Sequence, residues 1–337
     1  MAQSAPVPGK HKSTIDRTLD RLRTIFRPLA RVSPRLAGRV AERLFFTPGR
    51  PKSGPVDPVW PTGRPLAIRV AGRRVAAWQW GRGPVVLLLH GWNGRAAQLG
   101  AFVTPLLERG FSVVALDAPG HGASGRGRSS APQFAAAVQA VITATGPVIG
   151  IVAHSLGAAG ATLAAADGTA VGRLVLVAPA ADPPSWIPPF AARLGLTPAA
   201  TDHLRGVSER RLGRSWDDLH VPTLVGRLQS PVLVIHDRDD REVAWSDGAA
   251  VAAAAPGSEF LTTTGLGHVR LLREPMVVAA AVEFLARDTH RCAGCGTPTQ
   301  PHRPHCRRCS LELDLFDPAT RWIDSRLVSG DVQGALR

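Results

Sequence analysis

Two rhythms of hydrophobic residues run along this chain. Over residues 13 to 30, Ile15, Leu19, Leu22, Phe26 and Leu29 recur at helical spacing, with Arg17, Arg21, Arg23 and Arg27 elsewhere on the wheel. This pattern predicts a basic amphipathic helix. Ser33 followed by Pro34 suits an N-cap and a first helical residue, opening a second helix with Leu36, Val40 and Leu44 on one face. Dense Pro and Gly over 48 to 65 mark a linker. From residue 66 the rhythm becomes apolar strands alternating with helices. Segments 66 to 70 and 75 to 80 predict a hairpin around Gly72; further strands are expected at 84 to 90, 112 to 116, 148 to 153, 174 to 178, 232 to 236 and 259 to 263. Helices are expected near 95 to 108, 130 to 144, 156 to 166, 245 to 254 and 271 to 286. Continuous apolar strands with helical crossovers imply a mostly parallel α/β sheet covered on both faces, with chemistry at the carboxyl ends of its strands.

Charge refines the division. The 337 residues hold 40 Lys plus Arg against 26 Asp plus Glu, a net +14, and Lys occurs only at positions 10, 12 and 52. Residues 1 to 52 carry 12 basic and 3 acidic groups, so the basicity is mostly N-terminal and residues 53 to 286 are nearly neutral. The N-terminal helices are expected to pack on the main domain, with adhesion to an anionic membrane surface as the other reading. All four Cys lie between 292 and 309, which fits a reducing compartment, and the first fifty residues lack the apolar run of a signal peptide. A cytoplasmic location is the expectation, peripheral to the membrane if the helices adhere. Three regions follow: a helical extension and linker (1–52), an α/β domain (53–286) and a cysteine-bearing tail (287–337).

The strongest chemical signal is Ala153-His154-Ser155-Leu156-Gly157, set between a buried strand and an Ala/Gly-rich helix. A sharp strand-to-helix turn lifts its central side chain clear of the sheet and requires small residues two before and two after, where backbone and helix crowd. A Ser hydroxyl at neutral pH needs a base within reach and a third group to orient that base. Asp237-Arg238-Asp239-Asp240 follows the strand 232 to 236, and Gly265-Leu266-Gly267-His268 follows the strand 259 to 263. His268 is the expected base and Asp240 the expected acid, with Asp239 a close competitor and Asp182 an alternative.

With these motifs in this order, residues 66 to 286 resemble an α/β-hydrolase, implying an eight-stranded sheet with helices on both faces. The family's oxyanion motif is matched by His90-Gly91-Trp92-Asn93-Gly94, and a second loop by Asp117 to Ser124. The resemblance implies an oxyanion hole from the backbone N–H groups of Trp92 and Leu156. It maps the acid onto Asp240, three positions after Asp237, which stands where the family has Gly. A lid is implied at about 181 to 228, where prolines flank Trp186 in an apolar flap. Trp92, His154 and Trp186 are the expected substrate contacts; His121 and His236 receive no catalytic role. A Ser nucleophile implies an acyl-enzyme route, by default cleaving an ester or thioester of a small to medium apolar acyl group, in a small-molecule substrate. The competing readings are a non-catalytic binding or scaffold protein of the same fold, and a nucleic-acid-associated protein using the basic N-terminus and the tail. The near-neutral centre and the lack of aromatics among the arginines argue against nucleic acid.

In the tail, Cys292-x-x-Cys295 and Cys306-x-x-Cys309 resemble a small zinc ribbon. Each knuckle aims two thiolates at one centre, so the four would hold a structural Zn²⁺ with no open position, a pair of disulfides or free thiols being the other readings; catalysis is expected to need no cofactor.

Overall fold

The computed structural model describes residues 14–49 and 54–287, with side chains from residue 21 onward. Cys292, Cys295, Cys306 and Cys309 lie outside the described residues. The described residues divide into two compact units, one of residues 14–46 with 184–216, the other of 47–49 and 54–183 with 217–287.

The helical unit contains α1 (Thr14–Val32), α2 (Pro34–Phe45), α6 (Ile187–Leu194) and α7 (Pro198–Leu212). Two segments far apart in sequence thus build one helical core. The sequence places Leu36, Val40 and Leu44 on the apolar face of α2, yet its buried residues are Ala37, Gly38, Ala41 and Glu42. Gly38 explains the choice: a Cβ there would lie 2.7 Å from the Ala200 carbonyl oxygen and 2.9 Å from the Leu204 nitrogen. The small-residue face lets the α2 and α7 backbones approach, and Leu36 and Val40 stay exposed. Phe45 and Phe46 pack on Trp216, with ring centroids 5.9 and 6.0 Å away.

The other unit is built on an eight-stranded sheet. Its strands are β1 (Arg64–Pro65), β4 (Ala77–Trp80), β5 (Val85–Leu89), β6 (Ser112–Leu116), β7 (Val148–His154), β8 (Val171–Val177), β9 (Val232–Asp237) and β10 (Glu259–Thr263). The order is β1-β4-β6-β5-β7-β8-β9-β10; β4 alone runs against the others, so its pairings with β1 and β6 are antiparallel and the rest are parallel. Strands β5, β6 and β7 are buried throughout; β5 is an unbroken Val/Leu run, and β6 and β7 are predominantly apolar, as strands covered on both faces require. The expected 66–80 hairpin is smaller than its pattern implies: β2 (Ile68–Val70) and β3 (Arg73–Val75) form their own two-stranded ribbon, and β4 joins the main sheet. Ala71 and Gly72, both at positive φ, turn the chain directly after β2 and leave three residues to each arm.

Among the described residues five further helices accompany the sheet, α3 (Val103–Glu108), α4 (Ala131–Thr145), α5 (Leu156–Ala166), α9 (Trp245–Ala254) and α11 (Pro275–Ala286), together with the short helices α8 (Val221–Val225) and α10 (Gly267–Arg270). β5 lies between β6 and β7, so the chain leaves it in one direction and later returns on its other side. In an open parallel sheet this reversal opens a crevice at the carboxyl ends of the strands.

Candidate active site

Ser155 follows directly on the carboxyl end of β7, next to β5 in the sheet. It joins β7 to α5 with φ 53° and ψ −120°, a conformation costly for a residue with a Cβ and held only because its surroundings over-determine it. Two glycines allow the turn. A Cβ on Gly157 would lie 2.3 Å from the His90 carbonyl oxygen, and one on Gly91 would lie 2.8 Å from Ser155 Cβ. The loop after β5 is therefore pressed directly against the serine. Its next residue is Trp92. The N–H groups of Trp92 and Leu156 take no hydrogen bond among the described residues. Leu156 is the first residue of α5, where a helix leaves donors free.

His268, in the first turn of α10, meets Asp240. Its Nδ1 is 2.6 Å from Asp240 Oδ2, and both side chains are almost wholly buried, 8% and 0% exposed. A bond from Nδ1–H fixes the tautomer and leaves Nε2 as the basic atom. Burial alone would raise the Asp240 pKa, but bonds from His236, His268 and the Val243 N–H outweigh it and hold the carboxyl well below its usual range. The competitors are otherwise placed. Asp239 accepts from the Gly265 N–H at 2.7 Å, and Asp182 is half-buried past the end of β8, making no hydrogen bond to His268.

His154 connects the two halves. Its ring lies 4.6 Å from that of His268, centroid to centroid, and its Nε2–H donates to the His268 carbonyl at 2.9 Å. Burial, reinforced by neighbouring His268, lowers its pKa to about 3 and keeps it neutral. No hydrogen bond joins Ser155 Oγ to His268 among the described residues; the two are brought together through His154, the residue before the serine. Trp92 is half-buried with its ring edge-on to His121, centroids 5.2 Å apart. Trp186 ends the short turn Pro183–Trp186 and belongs to the helical unit.

Three buried polar groups pin these loops, and their jobs are not visible in the sequence. His90 donates from Nδ1 to the Gly91 carbonyl at 2.7 Å and accepts the Ala118 N–H at Nε2, 2.9 Å away, tying the ends of β5 and β6 together. Burial pushes its pKa down to about 4. Asp117 accepts from the N–H groups of Ala96 and Ala123, each at 2.7 Å, and burial raises its pKa. Asp237, fully buried, accepts four bonds: from Asp239 N–H (3.0 Å) and Gly267 N–H (2.9 Å) on Oδ1, and from Thr263 Oγ–H (2.7 Å) and Leu266 N–H (3.1 Å) on Oδ2. Burial would raise its pKa, but the Thr263 hydroxyl and these amides outweigh it and lower it. Thr263 is the cross-strand partner of Asp237 in the β9–β10 pair, so a side-chain bond on that register secures the loop leading to His268.

Sheet order, elbow and strand-end loops together define an α/β-hydrolase fold. Residues 82–215 match the family model described as serine aminopeptidase, S33. A human serine hydrolase-like protein is 38% identical over 71 residues, which is 20% of this chain and 34% of that protein. The match thus spans about a third of the curated relative's length. Among solved structures, a predicted CIB-like hydrolase from Thermoplasma acidophilum superposes with a TM-score of 0.51 at 18% identity, covering 66% of this chain and 98% of its own. Rv0554 from Mycobacterium tuberculosis gives 0.52 at 20% identity, with 66% and 98% covered. No helix among the described residues is long and apolar enough to cross a membrane.

Proposed function

We propose that the protein is a serine hydrolase acting through an acyl-enzyme, cleaving an ester or thioester of a small to medium apolar acyl group. The observation that carries this is the buried Asp240–His268 pair packed beside the strained Ser155 turn. His268 Nε2 takes the Ser155 proton as Oγ attacks the carbonyl carbon. The oxyanion rests on the Trp92 and Leu156 N–H groups, and the same imidazole then protonates the leaving group. Water, deprotonated in turn by His268, releases the acid and restores the serine. The Ser155–His268 hydrogen bond forms in the substrate complex, since catalytic bonds that are long or unmade in the free enzyme commonly close there. Neutral His154 holds the base by its backbone, and Asp240 stabilises the imidazolium.

Fluorophosphonate labelling and hydrolysis of short and medium nitrophenyl esters by wild type and Ser155→Ala test this reading. Ser155→Ala should lose labelling and about 10⁴-fold or more in kcat; equal labelling of the two proteins refutes it. The family model's description favours a second substrate class, peptide amides. Aminoacyl nitroanilides turned over faster than the matched esters would assign it. For the tail, the two C-x-x-C pairs support a structural Zn²⁺. Dialysed full-length protein should retain about one equivalent, and less than about half overturns that assignment.

A further inference from the structure

The exposed sides of α1 and α2 have an unusual composition. Ile25 (61% exposed), Val32 (85%), Leu36 (49%) and Val40 (38%) make up half of the exposed large hydrophobic residues in the described structure. Ile25 and Val32 are seven apart on α1, and Leu36 and Val40 four apart on α2, so each pair shares one side of its helix. Around them Arg21, Arg23, Arg27, Arg31, Arg35, Arg39 and Arg43 are all exposed. The single acidic residue in this stretch, Glu42, is buried and lies 3.5 Å from the Arg211 guanidinium. The outward surface therefore offers hydrocarbon and positive charge, with no exposed carboxylate from residues 21 to 43.

A groove of about 630 Å³ adjoins this surface within the helical unit, lined by Val32, Arg35, His203 and Arg210, with Asp202 the acidic group on its wall. His203 Nε2 is shielded from solvent and has no hydrogen-bond partner among the described residues. Arg39, Arg210 and Arg35 are near enough to add to burial in lowering the pKa of that imidazole. Such a groove suits a phosphate oxygen that would accept from these donors.

We propose that α1 and α2 dock on an anionic phospholipid bilayer, lying in the interface with the four aliphatic side chains among the acyl chains, the arginines on the phosphates, and one headgroup in the Arg35–Arg210 groove. Charge complementarity selects an anionic partner, and the aliphatic residues select a bilayer over a nucleic acid. A strand of nucleic acid stacks its bases on aromatic rings, whereas the one aromatic residue between positions 21 and 43, Phe26, is buried. Burying the small-residue face of α2 against α7 is what leaves Leu36 and Val40 available.

Flotation of the full-length protein with phosphatidylcholine vesicles, with and without phosphatidylglycerol, tests the proposal. Partitioning should be about ten-fold or more stronger on the anionic vesicles and should weaken with salt. The double variants Leu36→Ser/Val40→Ser and Arg35→Gln/Arg39→Gln should each lose about five-fold or more, with helical circular dichroism and hydrolysis of a water-soluble ester unchanged. Brominated acyl chains should quench the added emission of Leu36→Trp, a readout independent of the double variants. Equal partitioning on the two vesicle types, double variants that bind like wild type, or an unquenched Leu36→Trp overturns the proposal. Retention on single-stranded DNA without vesicle binding would assign the face to nucleic acid instead.

Discussion

Replacing Asp237 by Asn tests whether the loop that carries the base is held by the carboxylate described above. Asn keeps the shape but has one oxygen where Asp has two. With its oxygen at the Oδ1 position it still accepts from Asp239 and Gly267, while its NH₂ faces the Leu266 N–H; reversed, the NH₂ faces both of the other amides. The first orientation is the cheaper, because the Thr263 hydroxyl can rotate to accept. One buried amide then loses its acceptor and the remaining bonds lose charge assistance, a loss of about 2–4 kcal/mol. The residues released lie directly before His268, so kcat should fall about 10–100-fold with KM little changed. The folded pKa lies below the unfolded value of about 3.9. The carboxylate's contribution is thus complete above about pH 4 and is lost as the pH falls through the folded value, so the stability gap should narrow in acid. Urea titrations at pH 7 and pH 3, with ester kinetics, read all three effects. A variant within about 0.5 kcal/mol of wild type at pH 7 and with unchanged kcat would refute the reasoning.

Asp240→Asn should fold, since the Glu242 and Val243 amides still find an acceptor, but lose on the order of 10⁴ in kcat because His268 can no longer hold its tautomer against a carboxylate; steady-state ester kinetics check this. Gly157→Ala puts a methyl carbon 2.3 Å from the His90 carbonyl oxygen, so β5 or α5 must shift at a cost of about 1–3 kcal/mol, read by thermal unfolding, with a parallel loss of kcat. Burial, with His90 adding to it, lowers His121 to about pKa 3. The folded state then binds fewer protons than the unfolded one between about pH 6.5 and 3, and His121 withdraws about 1.4 kcal/mol of stability for each pH unit of acidification in that window. His121→Phe should flatten the stability–pH slope by that amount in urea titrations; an unchanged slope would place the acid sensitivity elsewhere.

The parts legible in the sequence are those where one residue type at one place has one physical reason. The unbroken Val/Leu run of β5 marks a buried strand, and the Ala153 to Gly157 segment at the end of β7 reads as a sharp turn because small residues are needed two before and two after Ser155. In the sequence Asp240 is separable from Asp239 only as a count from Asp237; the bond to His268 depends on how the chain after β9 is folded back. The role of Asp237 is not legible in the sequence, because its four donors come from its own turn and from residues 26 to 30 positions away, which meet it only through the β9–β10 register. For α2 the periodicity correctly located a helix but not the side it buries. Hydrophobicity favours Leu36, Val40 and Leu44, whereas backbone approach at Gly38 favours the smaller residues, and shape prevails.

The helical unit has a consequence for biosynthesis. Its first segment ends at residue 46 and its second begins at residue 184, so a ribosome adding about 5–20 residues per second delivers the partner roughly 7–30 s later. Until then Ala37, Gly38 and Ala41 have no α7 to lie against, and the nascent chain presents an arginine-rich apolar helix pair to whatever surface the translating ribosome is near.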